Sequence, residues 1–234
     1  MSDAGKGAVS LAFGKRHVVL AVIHTASLEQ ASRNARVARD AGADGVFLIN
    51  HSIDAAALIS IHQEVSAQHP GWWMGLNVLG LDDAELLDSL PPGVAGLWKN
   101  DAGVRDGGHI EAAGVRFGAG LRDRCRGTLY FGGVSFKYQA SITDPAGAAR
   151  SAVPYVDVVT TSGAATGSPP DVEKIKRMKD AIGGHSLAIA SGISARNVGQ
   201  FLPYVDCVLV ATSISSSFEE LDAQRIRELI DAVN

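Results

Sequence analysis

Leu187-Ala188-Ile189-Ala190-Ser191-Gly192-Ile193-Ser194 and Cys207-Val208-Leu209-Val210-Ala211-Thr212-Ser213 are two copies of one pattern. In each, a short run of small apolar residues stops abruptly at hydroxyls and small residues whose backbone N–H groups are free to face a ligand. The spacing predicts a buried strand followed by a helix in both cases. Neighbouring strand ends of this kind can surround one anion with oriented donors and the positive end of a helix dipole. In a (β/α)8 barrel, the loops after strands 7 and 8 are where a phosphate most often sits. The pattern therefore speaks first about a ligand and about the place of these strands in a series.

Working back towards the N-terminus, six earlier apolar runs alternate with helical patterns. Strands are expected at about 18–24, 45–50, 73–77, 94–98, 128–134, 156–160, 187–190 and 207–211. Helices are expected between and after them at about 28–41, 54–68, 82–89, 110–117, 144–153, 171–182, 195–202 and 222–232. Asp54, Asp82, Asp144 and Asp171 stand where a carboxylate can accept an orphan first-turn N–H. Eight βα units with no hairpin signal predict an α/β fold closed as a single (β/α)8 TIM barrel rather than an open sheet. No linker or composition shift divides the chain, so residues 1–234 read as one domain, with 1–16 a short N-terminal extension. The Trp72-Trp73 pair is expected to split, one ring inward and one outward, as strand alternation requires.

The composition narrows the function classes. The 234 residues are 46% hydrophobic and 20% charged, as in an ordinary globular domain. A formal net charge of −4 argues against nucleic acid as a partner, because that needs a clustered basic surface. Arg116, Arg122, Arg124 and Arg126 form the one dense basic run, interrupted by Asp123, and read as a solvated helix face and loop, with anion binding as the alternative. No run approaches ~18 apolar residues and no apolar leader segment is seen, so a soluble cytoplasmic protein without membrane contact is expected. Two cysteines, Cys125 and Cys207, make no disulfide framework. The glycine-rich segment from Asp101 to Gly127 is a candidate lid or ligand contact.

If the barrel is right, active groups come from the C-terminal ends of its strands. In order these are His24, Asn50 with His51, Asn77, Lys99 with Asn100 and Asp101, Lys137, Thr160-Thr161-Ser162, Ser191 and Ser213. His24 suits general acid–base work. Lys99 and Lys137 could neutralise an anion, or one could form a Schiff base if burial lowers its pKa. Asp101 is the best-placed carboxylate for proton transfer or for holding a lysine. Asn50 and Asn77 would orient the ligand. The loop from Thr160 to Ser168, with Ser162, Gly163 and Gly167, is small and hydroxyl-rich enough to let backbone N–H groups approach a phosphate or sugar. Its competing reading is a mobile lid. Ser191, Gly192, Thr212 and Ser213 would hold the phosphate itself. No tight ligand spacing supports a metal, and no cofactor is called for.

With these residues assembled, the chain resembles the BtpA/SgcQ family of barrel proteins. The resemblance is carried by Val22-Ile23-His24, by Gly45 to Asn50, by Gly75-Leu76-Asn77-Val78-Leu79, and by Asp157 to Gly167. Ala190 to Ser194 with Asn197, and Val210 to Ser213, complete it. The last two pieces are similar to those of ribulose-phosphate-binding barrels in general. After strand 5 the family tends to show an acidic residue followed by Lys-His. This chain has Gly133-Val134-Ser135-Phe136-Lys137-Tyr138, so that Lys137 matches and the other two do not. The resemblance implies a cytosolic location, a phosphate-bearing or sugar-like ligand and, in photosynthetic members, a part in photosystem biogenesis. Some relatives are labelled phosphoribosyltransferase-like. Two functions follow as expectations. The first is an enzyme acting on a small phosphorylated sugar or nucleoside-like metabolite by isomerisation, lyase chemistry or glycosyl transfer, using Lys99, Asp101, Lys137 and His24. The second is a non-catalytic metabolite-sensing or assembly factor that keeps the phosphate site. A homo-oligomer is compatible with a barrel of this size.

Overall fold

The computed structural model describes residues 7–234. Eight parallel strands close into a barrel in sequence order: β1 (Val18–Thr25), β2 (Gly45–Asn50), β3 (Trp73–Asn77), β4 (Gly96–Lys99), β5 (Leu129–Gly133), β6 (Val158–Ser162), β7 (Ser186–Ala190) and β8 (Cys207–Val210). The helices are α1 (Ala8–Phe13), α2 (Leu28–Asp40), α3 (Ala55–Gln68), α4 (Asp83–Ser89), α5 (Ala112–Arg124), α6 (Pro145–Ala152), α7 (Val172–Ile182) and α8 (Ala223–Val233). The expected (β/α)8 barrel is the fold found.

Successive strand residues alternate between two apolar layers. Val18, Leu20 and Val22 of β1 face the barrel axis with Phe47, Ile49, Trp98, Phe131, Val158, Ala188 and Leu209. Val19, Ala21 and Ile23 face the helices. The axis is filled by an aromatic cluster in which the Phe47 ring lies 5.1 Å from Trp73, 5.7 Å from Trp98 and 5.2 Å from Phe131. Glycines on β3 and β4 make the room. A Cβ on Gly75 would stand 2.5 Å from the Phe47 ring, and one on Gly96 2.3 Å from Trp73. Trp73 thus turns inward, while Trp72 turns out and donates its indole N–H to the Ala43 carbonyl at 3.3 Å.

Three aspartates fix the register at the bottom of the barrel. Asp44, Asp157 and Asp206 each stand one residue before an even-numbered strand, opposite Val19, Tyr130 and Leu187 of the preceding strand. Each carboxylate accepts the N–H of that opposing residue at 2.8 Å. Each aspartate N–H donates back to the same residue's carbonyl at 2.9–3.0 Å. The peptide group that would otherwise hang past the end of the neighbouring strand is therefore satisfied on both sides. At the fourth equivalent place, opposite Met74, stands Ala95, which supplies only the backbone bond.

Several segments differ from expectation. The helix expected at 195–202 is a short 3-10 turn at Val198–Gln200. Asn197 is the reason, since its side chain accepts from Ser194 N–H and donates to the Gly192 carbonyl, a local alternative to helical bonding. Likewise a 3-10 turn, Thr212–Ile214, precedes α8. The helix expected at 110–117 runs on to Arg124 as α5. Its glycines let it lie directly on backbone: a Cβ on Gly114 would meet Ala102 O at 2.4 Å, and one on Gly118 would meet Tyr155 O at 2.5 Å. Residues 1–6 of the expected N-terminal extension lie outside the described residues. The part that follows is α1, which floors the barrel, with Val9 wholly buried and its N–H on Ser186 Oγ at 3.0 Å.

Asp157 takes no part in the described ion pairs, so its variant isolates the strand-end hydrogen bond. Asp157→Ala should lower the unfolding free energy by about 1–3 kcal/mol, seen as a fall in urea midpoint at unchanged m-value. A change below ~0.5 kcal/mol, the usual surface level, would remove this aspartate from the account of register.

Candidate functional site

At the C-terminal mouth of the barrel lies a cavity of about 280 Å³. Its floor is the top of the inward layer: Val22, Ile49, Trp98, Ala190, Leu209 and Ala211. Two polar walls rise from it.

The first wall belongs to β7 and β8. Ser191 has φ +70° and Gly192 φ +65°, two successive left-handed residues that turn the chain sharply as β7 ends. Gly192 is required by packing as well, because a Cβ there would stand 2.2 Å from Pro169 N. Thr212 and Ser213 form the turn after β8, and the Ser213 hydroxyl donates to the Ile193 carbonyl, tying the two loops together. None of the N–H groups of Gly192, Ile193, Thr212 and Ser213 meets a backbone acceptor among the described residues. The Ser191 hydroxyl is buried and likewise without a partner. The wall is a row of unused donors.

The second wall carries the titratable groups. His24 from β1 and His51, just past β2, stand edge to face with ring centroids 5.0 Å apart. Lys137 reaches in from the loop after β5, its ammonium 3.0 Å from Thr166 Oγ1. Burial, then the neighbouring His51 and Lys137, push the His24 pKa down to about 4. Burial and Lys137 lower that of His51, and burial lowers that of Lys137. Both imidazoles are therefore neutral at pH 7. Phe218 covers them, its ring 4.1 Å from His24 and 5.8 Å from His51. Phe218 is 62% exposed and Tyr138, at the same mouth, 79% exposed.

The strand-end residues anticipated from the sequence separate into those that line this cavity and those that do not. His24, His51, Asn100, Lys137, Gly167, Ser191, Gly192, Thr212 and Ser213 line it. Lys99 does not. It follows the inward-facing Trp98 and so points out between helices, where it pairs with Asp83 and lies 4.4 Å from the centre of the Phe117 ring. Asp101 is engaged by Arg105 at 3.0 Å and by Gly103 N–H at 2.7 Å, in the neighbouring loop. The expected meeting of Lys99, Asp101 and Lys137 therefore does not occur. Asn50 latches the next loop, accepting from Leu79 N–H at 2.7 Å and donating to the Leu79 carbonyl at 3.1 Å. Asn77 is buried and donates to Asn100 Oδ1 at 3.1 Å. Ser162 is buried behind the wall, where its Oγ accepts from Lys137 N–H at 2.7 Å. Gly163 gives way to Ser168 O, which a Cβ would approach to 2.0 Å.

Two contributors escaped the sequence reading. Phe218 sits in a loop with no apolar periodicity. Lys174 is on α7, where a lysine reads as surface. Yet its ammonium donates to the carbonyls of Ser135 at 2.7 Å and Ser162 at 3.0 Å, and burial lowers its pKa to about 8. It clamps the ends of β5 and β6 at Ser135, a left-handed residue with φ +48°, from which the chain proceeds to Lys137. Among the described residues no group of three or more His, Cys, Asp and Glu side chains is placed to hold a metal ion.

Comparison with known proteins bears on the half of the site nearer the C-terminus. Residues 137–234 match the BtpA family. A curated relative, photosystem I biogenesis protein BtpA of Synechocystis sp., is 34% identical over 80 residues, which span 33% of this chain and 28% of that protein. The BtpA match begins at Lys137 and includes the whole donor wall and Phe218, while His24 and His51 precede it. Among solved structures, the native KDPGal structure superposes with TM-score 0.67 at 16% identity, over 92% of this chain and 93% of the other. Phosphoribosyl anthranilate isomerase from Thermus thermophilus gives 0.63 at 12%, over 92% and 98%. (S)-3-O-geranylgeranylglyceryl phosphate synthase from Thermoplasma acidophilum, in complex with sn-glycerol-1-phosphate, gives 0.65 at 12%, over 97% and 98%. At these identities the likeness is one of fold. No helix among the described residues is long and apolar enough to cross a membrane.

The electrostatics of the second wall can be read directly by NMR. The His24 ring resonances should titrate near pH 4 rather than near the ordinary ~6.5, and Lys137→Met should move that midpoint upward by removing a like charge. A midpoint at 6.5 in both proteins would show that His24 is solvated and uncoupled. Lys174→Met leaves the Ser135 and Ser162 carbonyls without their charged donor and should cost about 1–3 kcal/mol in urea unfolding, with Lys174→Arg costing less.

Proposed function

We propose that this protein is an enzyme that binds a small phosphorylated metabolite, a sugar phosphate or a compound built on one, and moves a proton at its far end. One observation carries this reading: a single cavity sets the unused donors of Ser191, Gly192, Ile193, Thr212 and Ser213 against a neutral histidine pair and a half-buried lysine. The donors suit a phosphate, which needs several N–H and O–H groups converging on one place. A neutral His24 can take a proton, and Lys137 can stabilise the negative charge that results or, with its pKa lowered, add to a carbonyl. Isomerisation and lyase chemistry at a carbon next to a carbonyl fit this set better than glycosyl transfer, which relies on a carboxylate that the cavity lining lacks. Lys99 and Asp101 have no part in it. The neighbours' phosphorylated ligands, where their names state them, accord with this assignment. Free Cys125 and Cys207 accord with a cytoplasmic location.

A second reading is a metabolite-binding assembly factor without turnover. It is favoured by the name of the BtpA relative and by the missing carboxylate. The two readings share the phosphate site and part at the second wall.

Ribose 5-phosphate at about a hundred times its dissociation constant should raise the melting temperature by roughly 5–10 °C, and Ser191→Asp should abolish the rise. Aspartate tolerates the left-handed backbone at that position, so the loss would reflect charge repulsion and not misfolding. No shift with any phosphorylated sugar at millimolar concentration would overturn the site. Turnover separates the readings. Incubation of ribulose 5-phosphate and related ketose phosphates in deuterium oxide should give protein-dependent deuterium uptake next to the carbonyl, lost in His24→Asn. Binding without any exchange, and without a borohydride-trapped adduct on Lys137, would favour the assembly factor.

A further inference from the structure

The cavity has a charge imbalance that a phosphate alone does not explain. Of the residues lining it, none is aspartate or glutamate. Of the carboxylates near the mouth, Asp83 pairs with Lys99, Asp101 with Arg105 and Glu220 with Arg33, while Glu219, beside Phe218, is exposed and outside the lining. Facing the interior from β1 and β2 are His24 and His51. From the loop after β5 come Lys137 and Tyr138, and the loops after β6, β7 and β8 add only serine, threonine, glycine and apolar residues with Phe218. Lys137 is thus a half-buried cation with a threonine hydroxyl as its hydrogen-bond partner and no counter-ion within salt-bridge range among the described residues. A cation partly withdrawn from water, with no opposite charge beside it, gains from an anion brought to it. The donor wall accounts for one anionic group on the β7–β8 side. Lys137 and the two histidines come from the loop after β5 and the ends of β1 and β2, not from the loops that carry that wall.

We infer that the ligand is anionic at both ends, a phosphorylated hydroxy or keto acid whose carboxylate meets Lys137, His24 and His51 while its phosphate meets the β7–β8 loops. This rests on the phosphate assignment above and adds the second group. A carboxylate has the acceptor geometry to take the Lys137 ammonium in a charge-assisted bond and an imidazole N–H in another. Among the described residues, the buried His24 Nδ1 meets no hydrogen-bond partner at bonding distance. A carboxylate in this place also reverses what now keeps the imidazoles neutral. It adds an opposite charge beside groups held down by burial and by Lys137, so the histidines should take up protons as the acid binds.

The test uses matched pairs that differ only in a carboxylate against a hydroxymethyl group: 3-phosphoglycerate with glycerol 3-phosphate, and 6-phosphogluconate with glucitol 6-phosphate. Calorimetry at pH 7 in two buffers of different ionisation enthalpy gives both affinity and proton uptake. In at least one pair the acid should bind about tenfold tighter or more and take up more protons than its alcohol, and Lys137→Met should collapse that ratio. Equal affinity within both pairs, with the phosphorylated alcohols still binding, would overturn the two-anion ligand and leave the phosphate site standing. Failure of all four compounds and of inorganic phosphate to bind would overturn both. A preference for the acids that persists undiminished in Lys137→Met would also overturn the assignment of the carboxylate to this wall.

Discussion

Everything at the mouth of this barrel depends on the two-residue alternation of its strands, held in register from below. Asp44, Asp157 and Asp206 tie the starts of β2, β6 and β8 to the strands before them through both the N–H and the C=O of one opposing residue. A slip of one residue would exchange the inward and outward sets along a strand. With the register held, Trp98 must face the axis and Lys99 must face the helices, though they are neighbours in sequence. The same parity brings His24 into the cavity at the end of a strand whose inner face is Val18, Leu20 and Val22.

Above the register, the rim is built from strained and cross-tied loops. Among the described residues, the non-glycine residues with positive φ are Ser135, Tyr138 and Ser191, all just beyond the ends of β5 and β7. Such conformations cost free energy and persist where the surroundings enforce them. Here the enforcement is visible. Lys174 and Thr161 converge on the Ser135 carbonyl, Thr166 holds both Lys137 and Tyr138, and Pro169 lies against Gly192. The loops after β5, β6 and β7 are thus tied to one another around the cavity by these contacts. The part of the chain that matches the BtpA family contains these loops from Lys137 onward. The histidine wall comes from the half that precedes it.

Much of this was legible in the chain, for identifiable reasons. Gly45–Asn50 and Trp73–Asn77 are found with the bounds their apolar runs suggest, because buried parallel strands carry unbroken hydrophobic sequence. The donor wall was legible because Ser191-Gly192 and Thr212-Ser213 combine strand ends with residues of unusual backbone freedom. The helix expected at 195–202 failed because the Asn197 side chain bonds to the backbone on both sides of itself. Lys99 stands one residue past an apolar run, but its parity, opposite to that of Trp98, turns it away from the cavity to Asp83 and Phe117. Lys174 and Phe218 carried no signal, since a lysine on a helix and an aromatic residue in a loop look like surface until another segment is brought against them.

By itself, then, the sequence determined the eight-fold alternation, the inward and outward layers and the two strand ends whose N–H groups are left unused. Each of these rests on local chemistry: hydrophobic period, turn residues and free N–H groups. Tertiary structure alone decided which charges face one another. Lys99 finds Asp83, Asp101 finds Arg105, Lys174 disappears into two carbonyls, and Lys137 is left with two histidines in a cavity free of carboxylates. Those partners lie on different elements, and electrostatic interaction depends on distance through space and on burial. Neither can be read along a chain until the barrel has closed.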